Sequence, residues 1–272
     1  MTSGAGSFGT HPQSPLHEAT AGSGREVSVD ECPPRSRFRM SPVSPLIPDV
    51  GMTTEQLLTR LKSLADESRR KHNTKAGAPA NQFGVKLGDL RTIAKELKTN
   101  HPLGLELWQT GNVEAQLVAT LIMKPKALSA RELDQLTRST TCSQVADWLN
   151  AYVVPQHPEH EALRQQWMQA KDRWRARAGW NLTASRVKTN PATLDLTALL
   201  DRIEQELPGA LPEVQWTMNN TLAAIGIHHP KLRKRAVAIG ERIGLYQDWP
   251  TSKGCTPPYV PVWVAEMVKR QG

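Results

Sequence analysis

Four stretches of this chain each place aliphatic residues on one helical stripe and polar or aromatic residues on the opposite one: NVEAQLVATLIM from Asn112, CSQVADWLNAYVV from Cys142, DRWRARAGWNLTAS from Asp172 and PEVQWTMNNTLAAIG from Pro212. Each reads as the second helix of a helix pair, and their starts lie about 30, 30 and 40 residues apart, a loose helical-repeat spacing. One such pair cannot bury its apolar stripe alone, so repeated pairs stack and share a continuous core. The stacking also gathers the opposite stripes into a second surface, and function is to be sought there.

Helical periodicity extends beyond these four. Leu57, Leu58, Leu61, Leu64 and Ala65 fit one face, as do Leu196, Leu199, Leu200, Ile203 and Leu207, and again Leu232, Ala236, Ile239 and Ile243. Breakers fall between Gly77 and Gly84, at Pro102, Gly111, Pro125, Pro155, Pro158 and Pro191, from Pro208 to Pro212 and at Pro230. They predict helices of about 10 to 16 residues. No segment alternates with period two, so the expected fold is an all-α, right-handed solenoid.

Residues 1–51 are rich in Ser, Pro and Gly and show no sustained period, which reads as a disordered leader. All eight Trp lie after residue 100. Thr53 or Thr54 can cap a first helix with Glu55 in its opening turn, so residues 52–272 read as the folded domain and Met52 as a possible true start of translation. The net charge is +8. With four Arg against five acidic residues in the leader, the excess, about +9, belongs to the folded part.

A basic domain points to a polyanion. Nucleic acid ranks ahead of membrane because no apolar run approaches the roughly 18 residues a bilayer needs. Cys32, Cys142 and Cys255 show neither metal-ligand nor disulfide spacing, which points to a reducing cytoplasm, and no signal peptide is visible.

At 100° per residue, Val145, Trp148, Leu149 and Tyr152 share one side of the Cys142 stretch, and Ser143, Gln144, Asp147 and Asn150 the other. Asp147 is thus off the core stripe, whether as a working carboxylate or as a solvated one. Arg173, Arg177 and Trp180 share a face on which arginine can grip phosphate and tryptophan can pack on sugar, or on which an arginine simply covers a half-buried ring. In the last stretch Val214, Met218, Thr221, Leu222 and Ile225 form the core stripe, leaving Trp216 and Asn220 one turn apart on the other side, unless a neighbouring helix buries Trp216. Lys231, Lys234, Arg235 and Arg242 line one side of the next helix, as a phosphate-neutralising strip or a merely solvated one. A Gly/Pro-rich tail, DWPTSKGCTPPYVPVWVAEMVKRQG, carries Trp263 and Met267 and is expected to cap the end of the stack. Cys255 has Lys253 nearby but no His or acid partner suited to a catalytic thiol.

Taken together, LWQTGNVEAQLVATLIM, the Asp147 helix, WRARAGWNL and PEVQWTMNNTLAAIG resemble the DNA alkylation repair proteins, the HEAT-like-repeat DNA glycosylases of the bacterial AlkD type, over roughly Met52 to Gly272. The resemblance implies a curved solenoid of HEAT-like helix pairs. It also implies a concave surface that holds alkylated or distorted duplex DNA and releases cationic 3-methyladenine or 7-methylguanine without extruding the base. It implies no metal or organic cofactor, and a monomer is expected. Asp147 matches the catalytic Asp of the family, and Arg177 a DNA-backbone Arg. Where active members carry two Trp flanking the lesion, this chain has Ser143 and Asn220. Three readings follow: a glycosylase holding DNA through Arg173, Arg177, Lys231, Lys234 and Arg235; a non-catalytic binder of distorted DNA; and a protein-interaction scaffold.

Overall fold

Thr53, Asn112, Ser129, Asp172 and Asp195 sit one residue ahead of helical segments, and each accepts a backbone N–H from the first turn through its side chain. These caps satisfy donors that a helix start otherwise leaves open. In the computed structural model, which describes residues 51–271, they help delimit α1 (Thr54–Ser63), α2 (Glu67–Lys75), α3 (Leu87–Leu97), α4 (His101–Gln109), α5 (Val113–Ile122), α6 (Ala130–Arg138) and α7 (Ser143–Tyr152). There follow α8 (His160–Trp167), α9 (Arg173–Thr189), α10 (Leu196–Glu206), α11 (Pro212–His228), α12 (Pro230–Ile243) and α13 (Val260–Lys269). No strand occurs among the described residues. The reading of the first fifty residues as a disordered leader lies outside them.

The four two-faced stretches are α5, α7, α9 and α11, and each packs on the next to form an inner row. The partner helices α4, α8 and α10 lie against this row, and α6 packs on α8 and α9. The fold is therefore an all-α solenoid of HEAT-like helix pairs. The long helices α9 and α11, 17 residues each, exceed the expected length because they make the most extensive helix contact in the protein and stabilise each other along it.

Most of the predicted core stripes are buried, including Leu57, Leu61, Leu200, Ile203, Leu207, Ala236 and Ile239. Leu64 and Ala65 are exposed because α1 ends at Ser63 and its stripe stops there. α2 has no buried residue and no apolar face; Asp66 caps it, and the segment after it folds back through a Gln82 Nε2–Thr74 Oγ1 hydrogen bond.

Two contacts set the register of the stack. The buried Glu114 carboxylate accepts the backbone N–H groups of Phe83, Gly84 and Val85 at 2.9, 2.7 and 3.3 Å, tying the α2–α3 segment to α5. Gly179 lets α9 approach the end of α8 closely: a Cβ there would lie 2.7 Å from the Met168 nitrogen and 2.8 Å from the Trp167 carbonyl carbon. The carboxy-terminal α13 closes the end of the stack against α11 and α12, with Val260 and Val264 buried and Trp263 and Met267 packed at the edge.

Candidate nucleic-acid interface

The inner helices α7, α9 and α11 bring their amino-terminal turns to one cleft of about 820 Å³. Its walls are Thr141 just before α7 and Ser143 of α7, Arg173, Trp174 and Arg177 of α9, Pro212, Glu213, Gln215 and Trp216 of α11, the end of α2 at Lys75 to Gly77, and Tyr246 and Trp249 from the α12–α13 loop. Helix amino termini carry partial positive charge, so the convergence of three favours an anionic occupant.

Arg177 is the pivot. Its side chain is only 3% exposed, yet it joins three helices: Nη1 donates to the Glu213 carbonyl of α11 at 2.8 Å, and Nη2 to Asp147 Oδ1 of α7 at 2.7 Å. Its Nε is buried without a partner. Asp147, by contrast, has a side chain 47% exposed. One carboxylate oxygen is thus pinned by a guanidinium that is always charged, while Oδ2 has no hydrogen-bond partner among the described residues. A carboxylate fixed in direction and open to solvent can stabilise positive charge on a reacting group or orient a water.

At the cleft mouth, Arg173 stacks over Trp174 with its guanidinium carbon 5.2 Å from the ring centre, and Nη1 lies 3.3 Å from Glu213 Oε1. The same cleft holds an aromatic group of which the sequence reading named only Trp216: it meets Tyr246 and Trp249 at centroid distances of 5.5 and 5.8 Å, and Tyr246 meets Trp249 at 5.1 Å. Burial raises the Tyr246 phenol above its usual range, with Arg177 pulling the other way. The available signal is an aromatic pair in a polar, Gly/Pro-flanked loop, where no core requires it. Glu213 and Lys75 were also missed.

The remaining expected residues divide. Trp216 is half-buried at the cleft, and Ser143 lines it. Trp180 is core, 1% exposed, because α11 covers this part of α9, the Trp180 carbonyl accepts from Thr221, and Arg202 of α10 lies over its ring. Trp180 shares a helical direction with Arg173 and Arg177, but the neighbouring helices close over the deeper turn. Asn220 is half-buried outside the cleft lining, its Oδ1 unpartnered.

Lys231, Lys234 and Arg235 likewise lie outside the lining. Arg235 turns toward α10, where it pairs with Asp201 and Glu204, and Arg242 pairs with Glu204. Acidic residues of the adjacent outer helix thereby take up part of the α12 strip. Cys142 is buried, which pushes its thiol above the usual range; Cys255 is exposed. Among the described residues no cluster of His, Cys, Asp or Glu suits a metal ion, and no helix is long and apolar enough to cross a membrane.

Residues 57–244 match the DNA alkylation repair enzyme family. The chain belongs to this family. Like it in sequence is the uncharacterized protein Lin0241 of Listeria innocua, 23% identical over 199 residues that span 71% of this chain and 87% of the relative. A solved structure from a new family of proteins related to the HEAT-like repeat DNA glycosylases with affinity for branched DNA structures superposes with a TM-score of 0.68 at 22% identity, covering 81% of this chain and 95% of the other. At that identity the likeness speaks for the fold. In this family member the matched span includes α7, α9 and α11, and it ends at Gly244, just before the loop that carries Tyr246 and Trp249.

Proposed function

We propose that this chain binds alkylated or distorted duplex DNA across the cleft and hydrolyses the N-glycosidic bond of a cationic alkylpurine, with Asp147 as its catalytic carboxylate. The observation that carries the reading is the Asp147–Arg177 pair: an exposed acid just outside the cleft lining, held by a buried arginine that is part of that lining. An N3- or N7-alkylated purine already bears positive charge, so no general acid is needed. The C1′–N bond breaks with its electron pair passing to the purine, which leaves neutral. The deoxyribose becomes oxocarbenium-like, Asp147 stabilises that charge, and a water oxygen adds to C1′ while losing its proton to the carboxylate or to solvent. Arg173 and Lys75 supply exposed cations for the phosphates, making affinity fall steeply with salt.

A second reading is favoured by Ser143, which lines the cleft one turn before Asp147 and offers no aromatic face to a cationic base. In that case the chain recognises DNA shape without excision. Incubating the protein with methylated duplex and measuring released 3-methyladenine and 7-methylguanine decides between them. Release that disappears in Asp147→Asn supports the glycosylase; no release, beside an active control enzyme, with binding that remains salt-dependent, leaves the shape-reading protein.

A further inference from the structure

We propose that the outward face of Trp249, backed by Trp216 and Tyr246, is a stacking platform for one unpaired nucleobase of the bound DNA, with Arg173 serving the adjoining phosphate. The proposal rests on DNA as the partner but not on excision. The three rings meet edge to face or tilted, at interplanar angles of 61°, 51° and 80°. They therefore form a solid aromatic block and not a parallel slot in which a base could be sandwiched. One ring faces outward: Trp249 is 45% exposed.

The loop holds this block firmly. α12 ends on Gly244 in the left-handed region at φ 65°, and Tyr246 adopts φ 64°, a conformation uncommon for an aromatic residue. It persists because the ring packs on both tryptophans while the Trp249 N–H closes onto the Tyr246 carbonyl at 3.1 Å. Such backbone is kept where the surroundings over-determine it, commonly at ligand sites.

The chemistry of the occupant follows from the single face and the charge around it. Inside a duplex both faces of a base are covered by its neighbours, so an unpaired base at an overhang or bulge is far freer to stack on an isolated ring. The same cleft carries Arg173, more than half exposed, and an exposed Lys75, so the occupant is an aromatic group bearing negative charge, as a nucleotide is. An apolar peptide would offer nothing to Lys75, and nothing to Arg173 beyond its pairing with Glu213.

The full chain is mixed with a duplex carrying 2-aminopurine in a short single-stranded overhang, and separately with a blunt duplex carrying it paired. Binding is expected to quench the overhang probe and leave the paired one unchanged, with the overhang duplex bound about tenfold or more tightly than the blunt one. Trp249→Ala is expected to abolish both the quenching and the preference, and Trp249→Phe to keep part of each. Equal affinity for the two duplexes, or quenching that survives Trp249→Ala, overturns the proposal. Quenching without blunt-duplex binding would sink duplex recognition while sparing the platform; duplex binding without quenching does the reverse.

Discussion

Replacing Asp147 with Asn removes one charge and almost no volume, so it isolates what the carboxylate contributes electrostatically. Arg177 would remain buried, bonded to the Glu213 carbonyl and facing an amide oxygen where Oδ1 had been. Stranding a fully buried charge costs ~3–5 kcal/mol, whereas an exposed ion pair contributes only ~0.2–1 kcal/mol. Asp147 is half-exposed and its substitute still accepts a hydrogen bond, so a loss of about 1–2 kcal/mol is expected between these limits. In a domain of this size each kcal/mol moves the melting midpoint by about 2–4 °C, which gives a drop of roughly 2–8 °C. On the chemistry, losing the group that stabilises the developing cation is expected to slow single-turnover release of 7-methylguanine by about 10²–10³. Duplex affinity should hold or rise, because a negative charge near phosphate has gone. Thermal melting, fluorescence anisotropy with duplex DNA and single-turnover excision on the same preparation check all three. Excision within tenfold of wild type, or affinity falling in step with excision, would refute the role given to the carboxylate.

Glu114→Ala strands three backbone N–H groups, and each buried donor left unsatisfied costs about 1–3 kcal/mol; urea denaturation should show a loss of several kcal/mol, while the exposed Glu55→Ala should cost under about 0.5 kcal/mol. Gly179→Ala puts a methyl against the α8 backbone, and a destabilisation of about 1–3 kcal/mol is expected in the same assay. Glu161 is held at a pKa of about 2, chiefly by its hydrogen bonds from Arg164. A depressed carboxyl pKa stabilises the fold above the unfolded value near 4.5, and that contribution is lost as pH falls toward 2; the stability gap between wild type and Glu161→Gln should therefore narrow between those pH values. Arg173→Ala should reduce the slope of log affinity against log salt by about one.

Helix existence and the division into two faces were legible because both are local. A period of 3.6 in Val145, Leu149 and Tyr152, and capping residues such as Asn112 and Asp172, act within a few residues of chain. Asp147 could be placed off the core stripe for the same reason. What lay beyond reach was which neighbour covers each outward face. Arg173, Arg177 and Trp180 share one helical direction, yet α11 and α10 close over the deepest, leaving the first at the cleft mouth, the second as a buried link and the third as core. Arg235 looked like part of a basic strip until α10 set Asp201 and Glu204 against it.

The chain alone thus determined a stacked helical fold with Asp147 on its polar side, since hydrophobic period and end-capping are written in consecutive residues. Only the tertiary structure decided what surrounds that carboxylate. The Arg177 clamp joins residues 30 and 36 positions apart. The Trp216–Tyr246–Trp249 block depends on a loop returning across the end of α11. Contacts of that kind are governed by how helices pack and where loops cross, and no periodicity in the sequence carries that information.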